Sequence, residues 1–262
     1  MQQGTDLADL KGRSALVTGA GEVGATIALS LARHNAGCVT VVDLDRARAE
    51  VVARRIEASG GRALALAGDL TSPADVRAMA ERVTAEQIEI DILVHNAGLP
   101  PGYFRSGPGL RPFLESEPED WTPLLQLNLE AVLRVSHAFV GAMVERGWGR
   151  VISIVSDAVR AGDRNMAVYA AAKGGASAFM RSLASEVGQA GVTVNCISLG
   201  TIWRSVEAPG EDELRRVRRD YPLGRYGTCE DVASMVTYLA SDAASWITGQ
   251  VYGVNGGYTY GL

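Results

Sequence analysis

The sequence predicts an α/β fold, a doubly wound parallel sheet with helices on both faces, in a single domain. Short apolar runs rich in β-branched residues alternate with stretches of helical periodicity along most of the chain. Such alternation implies parallel strands joined by right-handed helical crossovers. The first run, SALVTG (14–19), passes into the glycine turn GAGEVG (19–24) and then into ATIALSLARHN with helical spacing. No composition shift, repeat or low-complexity tract divides the 262 residues, a length that suits one large α/β domain.

Taken in order, the glycine turn comes first. A G-x-G-x-x-G acquires meaning only between a strand and a helix, which is where GAGEVG lies. Gly19 would make the tight turn, Gly21 would admit a pyrophosphate to the backbone, and Gly24 would let helix pack on strand, with phosphates at the helix N-terminus. The motif is weak in a chain with 30 glycines, but its place on the first strand favours dinucleotide binding. The second strand, GCVTVVD (37–43), ends in Asp43. An acid there accepts hydrogen bonds from the ribose hydroxyls of NAD and repels the 2′-phosphate of NADP, and Glu22 adds negative charge. Arg46 and Arg48 fall where the next helix begins and read as solvated helix charges, so the expected cofactor is NAD. A helix N-cap is the plainer role for Asp43, and Asp45 competes for it.

RALALAGDLT supplies a third strand ending in Asp69, which either contacts the adenine edge or punctuates the turn. Ser72 caps the next helix and Pro73 opens it. The fourth strand, IDILVH (90–95), is followed by Asn96, Ala97 and Gly98 and by a long loop (99–118) rich in Pro, Gly and aromatic residues. Loops of that length are often functional, and this one is expected to line a substrate pocket. A helix starts at Pro118 and carries Asn128 in the apolar run LLQLNLEAVL, either as a satisfied core amide or as a functional group. RVISIVS is the fifth strand and GVTVNCIS (191–198) the sixth. The polar stretch 199–227 interrupts the alternation as a lid, and EDVASMVTYLASD and GQVYGVNGG close it as a helix and a last strand.

One stretch carries chemistry. Ser156 ends the fifth strand, where a hydroxyl can point into the crevice at the carboxyl ends of the strands. Tyr169 and Lys173 are one helical turn apart in the alanine-rich AVYAAAKGGASAF, so an ammonium stands beside a phenol. A nearby positive charge favours phenolate and makes Tyr169 a usable acid/base near neutral pH. Y-x3-K by itself is commonly a surface pair; the glycine turn, Asp43 and Asn128 give it a cofactor and a proton path.

Composition bounds the partners. Net charge is −5, so nothing marks nucleic acid or an anionic membrane as a ligand. No apolar run reaches the length of a membrane helix, and MQQGTDLADLKG is not a signal peptide. Cys38, Cys196 and Cys229 are scattered, as are the histidines, which argues for a cytoplasmic, reducing setting without a metal site.

The collinear set TGAGEVG (18–24), Asp43, GDLT (68–71), HNAG (95–98), Asn128, Ser156, YAAAK (169–173), ISLGTI (197–202), PLGRYG (222–227) and ITGQVYGVNGG (247–257) resembles the short-chain dehydrogenase/reductase family along essentially the whole chain. The resemblance implies a Rossmann-type seven-stranded parallel sheet and a homotetramer with its dimer interface on the helices near 118–147 and 166–189. It implies Tyr169 as the acid/base, Lys173 as the residue that holds the nicotinamide ribose and lowers the tyrosine pKa, Ser156 as the hydrogen-bond partner of the substrate oxygen, and Asn128 as support for a water relay. On the dinucleotide it places Gly19, Gly21, Glu22, Val23 and Gly24; Asp43 and Leu44; Asp69 and Leu70; Asn96, Ala97 and Gly98; Tyr169 and Lys173; and Gly200 and Ile202. This chain departs from the family in a glycine turn one residue shorter than TGxxxGxG, in His95 for Asn, Leu199 for Pro, Arg204 for Thr, Cys229 for Pro and Asn255 for Asp.

The implied reaction is hydride transfer between a secondary alcohol and NAD. SDAVR after the fifth strand, with VYAAAKGG, is similar to 2-hydroxycyclohexanecarboxyl-CoA dehydrogenases and to 3-oxoacyl-carrier reductases, so a cyclic or branched hydroxyacyl-CoA is the leading substrate. Arg215, Arg216, Arg218 and Arg219, with Arg105, Arg111 and Arg204, could receive its phosphates; a solvated face balanced by neighbouring acids is the plainer reading. A free cyclic or hydrophobic alcohol is the rival, and a dinucleotide-binding regulator without catalysis is a third reading. Asp157, Arg160, Tyr103, Phe104, Trp203 and Arg204 are the candidate substrate-pocket residues.

Overall fold

The computed structural model describes residues 7–98, 111–203 and 210–260. One 7-stranded sheet runs through it in the order β3-β2-β1-β4-β5-β6-β7, and every pairing is parallel. The strands are β1 (Ser14–Thr18), β2 (Val39–Asp43), β3 (Ala63–Ala67), β4 (Ile90–His95), β5 (Gly149–Ser156), β6 (Val192–Leu199) and β7 (Val251–Val254). Strand order reverses between β1 and β4, and a crevice opens there beyond the carboxyl ends of the strands. Thr18 stands opposite His95 in that register, and Ser156 opposite Leu199.

Helices cover both faces. On one side α1 (Glu22–Arg33), α2 (Arg46–Ala58) and α7 (Cys229–Ala240) pack around Ile27, Leu31, Ile56 and Val236. On the other, α3 (Pro73–Ala85), α4 (Pro118–Arg146) and α5 (Ala167–Val187) enclose Met79, Val135, Met143 and Met180; α6 (Glu211–Asp220) belongs to the segment between β6 and α7. The caps follow the sequence. Ser72 accepts from the Asp75 amide with Pro73 in the first turn of α3, and Thr228 and Asp231 form a reciprocal capping box on α7. Asp45, not Asp43, caps α2 by accepting from the Ala47 amide, which leaves Asp43 to the crevice.

Two expectations need correcting. The third strand stops at Ala67, so Asp69 lies in the following turn, where its Oδ1 accepts from the Thr71 amide and hydroxyl. And among the described residues one apolar helix is long enough to cross a membrane: Pro118–Arg146 has a mean hydropathy of 1.2 over its best window. Its apolar side is spent on the second core, through Val132, Val135, Phe139 and Met143, and Asn128 is buried within it. Around that asparagine the helix widens to a π turn, Gln126–Glu130. Such single-turn bulges often mark functional sites.

Candidate active site

The glycine turn is built as a cradle. Gly19 has φ +83 and its missing Cβ would fall 3.1 Å from the Ala97 Cα. A Cβ on Gly24 would lie 1.8 Å from the Gly19 carbonyl oxygen and 2.6 Å from Asn96 Nδ2. Around Gly21, by contrast, nothing among the described residues lies within 4 Å of that position. Gly21 caps α1 without a side-chain hydrogen bond, so the first amides of α1 are left for an anion. Asn96 pins the turn: its Nδ2 donates to Thr18 O at 3.0 Å and Gly19 O at 3.1 Å, while Thr18 Oγ1 accepts from the Asn96 and Ala97 amides. The turn is shorter than the family's pattern yet closes tightly.

A cavity of about 570 Å³ runs from this cradle to the catalytic stretch, within the size range of cofactor sites. Every residue expected on the dinucleotide lines it, from Gly19, Glu22 and Val23 through Leu44, Leu70 and Gly98 to Gly200 and Ile202. Asp43 closes one end. Its Oδ2 accepts from the Ala20 amide at 2.7 Å and its Oδ1 from the Asp45 amide at 2.8 Å, and each oxygen keeps a lone pair for a ribose hydroxyl. Arg48 departs from expectation. It lines the cavity rather than standing in solvent, with its guanidinium 3.3 Å from both Asp43 and Asp45. Arg46 is the solvated charge, paired with Glu50. Dinucleotide chemistry fits this cradle: open backbone at Gly21, bare helix amides, and a carboxylate at the ribose end.

The other end carries the reactive groups. Ser156, Tyr169 and Lys173 line the same cavity. Lys173 is 4% exposed; its Nζ donates to Ile154 O at 2.8 Å and lies 6.0 Å from the Tyr169 ring centroid. Burial pulls the Lys173 pKa down to about 8, with Cys196 opposing weakly. The glycine of HNAG has a steric reason: a Cβ on Gly98 would sit 2.9 Å from both Lys173 Nζ and Asn128 Oδ1. Asn128 is fully buried and its Nδ2 donates to Leu124 O, but Oδ1 has no partner among the described residues. A buried acceptor without a donor is costly, and this one lies beside Gly98, as Lys173 Nζ does. His95, the family departure, lies behind: its Nε2 is 2.9 Å from Ser136 Oγ, and burial with the nearby Lys173 charge lowers its pKa to about 3, which keeps the ring neutral.

The lysine makes stability depend on pH. Unfolded, its amine keeps its proton up to the ordinary lysine value of 10.5; folded, it releases it near 8. Between those values the unfolded state holds more protons, so stability rises with pH. The gap corresponds to about 3 kcal/mol. Denaturant unfolding of the wild type and of Lys173→Met should show a stability difference that is constant below pH 7 and shifts in the wild type's favour between pH 8 and 10.5. A difference flat across that window would refute a buried ammonium.

The structure brings other candidates elsewhere. Asp157 is 1% exposed and faces away from the cavity. Its Oδ1 accepts from Ser198 Oγ, and its Oδ2 from Asn255 Nδ2 at 2.6 Å and Thr259 Oγ1 at 2.7 Å. Arg160 is exposed and donates to Val251 O on the edge strand. Neither touches the pocket, because residues after Ser156 turn toward the sheet edge. Trp203 stacks on Tyr226 with ring centroids 5.6 Å apart and is not among the cavity's lining residues. Tyr103, Phe104, Arg105 and Arg204 lie outside the described residues. In the lid, Arg215 pairs with Asp212 and Glu211, and Arg219 with Asp220, as on a solvated face. The sequence did not single out Gln126 and Leu127 of the π turn, Met166 or Thr201, all of which line the cavity. A second, small pocket abuts Tyr169 between the N-terminal turns of α4 and α5, with Arg111, Phe113, Trp121 and Leu124 in its wall. Phe113 and Trp121 stack there at 5.1 Å.

Residues 19–259 match the family model described as Enoyl-(Acyl carrier protein) reductase. The chain is 35% identical over 251 residues to the 3-oxoacyl-[acyl-carrier-protein] reductase FabG of Escherichia coli, covering 95% of this chain and 98% of that one. The crystal structure of a short-chain type dehydrogenase/reductase from Mycobacterium marinum superposes with a TM-score of 0.85 at 31% identity, over 98% of this chain and 99% of that one. A protein from Agrobacterium tumefaciens, provisionally assigned as a gluconate dehydrogenase, gives a TM-score of 0.89 at 27% identity over 98% of this chain and 99% of that one. With the glycine cradle, the strand order and the serine, tyrosine and lysine at one cavity, these likenesses establish that the chain is an oxidoreductase of the short-chain dehydrogenase/reductase family.

Proposed function

We propose that the protein interconverts a secondary alcohol and a ketone with NAD as its cofactor, on a cyclic or branched hydroxyacyl thioester such as a CoA ester. The observation that carries the reading is that Ser156, Tyr169 and Lys173 line one continuous cavity with the Gly19–Gly24 cradle and Asp43. That arrangement also speaks against a regulator that merely holds a dinucleotide. The bound nicotinamide supplies the hydride acceptor in oxidation and the donor in reduction. In oxidation, the Tyr169 phenolate takes the proton of the substrate hydroxyl and Ser156 Oγ donates to the same oxygen. The buried Lys173 ammonium offsets the phenolate charge. The orphaned Asn128 Oδ1 accepts from a water that Lys173 also reaches, so the proton can leave along that path.

Asp43 supports NAD, since a 2′-phosphate would meet its carboxylate. The Arg48 charge is largely compensated by Asp43 and Asp45. An acyl thioester is supported by the likeness to a 3-oxoacyl-carrier reductase. A free hydrophobic or cyclic alcohol is favoured instead by one observation, the Phe113–Trp121 stack beside Tyr169. Tetrameric assembly belongs to the same proposal; Leu133 and Val144 on α4 are 39% and 37% exposed and suit a helix-to-helix contact. The experiment is a panel of hydroxyacyl-CoA esters paired with their free acids and with cyclic alcohols, read by NADH absorbance, on the wild type and Asp43→Ala. The expected result is turnover of thioesters with NAD, and a preference for NAD over NADP that falls at least about tenfold in Asp43→Ala. Turnover of free alcohols alone would defeat the thioester reading, and unchanged selectivity would defeat the cofactor reading.

A further inference from the structure

The last described residues of the chain lie between two parts of the site that are far apart in sequence. The Tyr258 hydroxyl donates to Asp163 Oδ1 at 2.6 Å, just beyond the helical turn Ala158–Ala161 that follows Ser156. Its ring stacks on Tyr221, with centroids 5.1 Å apart and planes 19° apart. Tyr221 is 6% exposed. Its hydroxyl donates to Thr201 Oγ1 at 2.8 Å and accepts from the Thr201 amide at 3.1 Å. Thr201 lines the dinucleotide cavity between Gly200 and Ile202. An unbroken chain of contacts thus runs from Asp163 through Tyr258 and Tyr221 to the cavity wall.

The tail is held at both sides of Tyr258. Asn255 and Thr259 both donate to the buried Asp157 carboxylate. The Leu223 amide donates to Gly256 O at 3.1 Å, and a Cβ on Gly257 would lie 2.8 Å from Pro222. Gly200 itself rests on the Asn255 backbone, where a Cβ would meet the Asn255 Cα at 3.0 Å. The carboxylate at position 157 suits an amide at position 255; an acid there, as is usual in the family, would place two carboxylates in contact. Packing alone does not require a hydroxyl on residue 258, since the stack needs only the ring, and Asp163 fixes it in one orientation.

We propose that Tyr258 is a positioning residue, a clasp that ties the loop after Ser156 to the Thr201 wall of the dinucleotide cavity. It touches neither substrate nor cofactor. It acts by holding Tyr221, and through it Thr201, in the arrangement that receives the dinucleotide, so loop and wall order together.

The test uses the whole 262-residue chain, with NADH and NADPH titrated by their own fluorescence and melting followed separately. Tyr258→Phe keeps the stack and loses the hydrogen bond. It should weaken dinucleotide binding about three- to tenfold, in the range of mutational effects on coupled sites, with a melting temperature within about 3 °C of wild type. Asp163→Ala should match it, and the double variant should be no weaker than either single change. Asp163→Asn keeps an acceptor for the tyrosine hydroxyl and should restore near-wild-type affinity. The clasp is overturned if Tyr258→Phe and Asp163→Ala bind like wild type, if their effects add in full, if Asp163→Asn binds as poorly as Asp163→Ala, or if affinity falls only in step with melting temperature.

Discussion

Tyr169→Phe removes one oxygen atom and should cost about 10²–10⁴-fold in turnover, the usual reach of a positioned acid/base, while NADH binds within about threefold of wild type. The ring stays in place on α5. What goes is the only group in the account that exchanges a proton with the substrate oxygen. Ser156 cannot replace it, since an unassisted hydroxyl is a poor base near neutral pH, and its Oγ already accepts from the Ala158 amide at 3.2 Å. Lys173 cannot replace it either, because its Nζ is held on Ile154 O and serves the charge balance. Steady-state turnover with fluorescence titration of NADH separates the two effects. Near-normal turnover in Tyr169→Phe would remove the tyrosine from the chemistry, and a matching loss of NADH affinity would make it a binding residue.

The second large effect lies in the glycine cradle, where two glycines of one motif should fail in different ways. Gly24→Ala drives a methyl to 1.8 Å from a backbone oxygen, a contact that only movement of the turn relieves. Overpacking of that kind costs about 1–3 kcal/mol or more, and the displaced turn no longer aims the α1 amides. Both stability and dinucleotide affinity should fall, the latter by about 100-fold or more, the scale on which misplaced site geometry acts. Gly21→Ala meets no atom of the described residues within 4 Å. Its melting temperature should stay within about 3 °C of wild type, yet its methyl enters the space a pyrophosphate would take, and affinity should fall about tenfold or more. Thermal melts paired with NADH titrations read both. Unchanged affinity in Gly21→Ala would move the phosphates off the turn.

How much of this was legible depended on whether local backbone or distant partners set the position. Gly19, Gly21, Gly24 and Asp43 were readable because a tight turn and a strand end fix their directions within a few residues. Tyr169 and Lys173 were readable because one helical turn fixes their shared face. Asp157 and Arg160 were misread from their nearness to Ser156. Successive residues at a strand's end point to opposite sides, and the partners of Asp157, Asn255 and Thr259, come from the other end of the chain. Nothing local announces that pairing. The π turn at Asn128 was hidden because LLQLNLEAVL keeps ordinary helical spacing. Arg48 was taken for a solvated charge because its helix position was right; the first turn of α2 folds back over the end of β2 and carries it to the cavity rim.

The central claim is that hydride passes between the dinucleotide and the substrate carbon beside Tyr169. It is tested most directly by reducing the best ketone or oxoacyl thioester of the panel with NADH carrying deuterium at both C4 positions of the nicotinamide, in ordinary water, and locating the label by mass spectrometry. The account predicts deuterium on the new carbinol carbon with wild type and with Asp43→Ala, and almost none with Tyr169→Phe over the same time. Both deuteriums left on the dinucleotide while the substrate is consumed, or a carbinol hydrogen drawn from water, would contradict it.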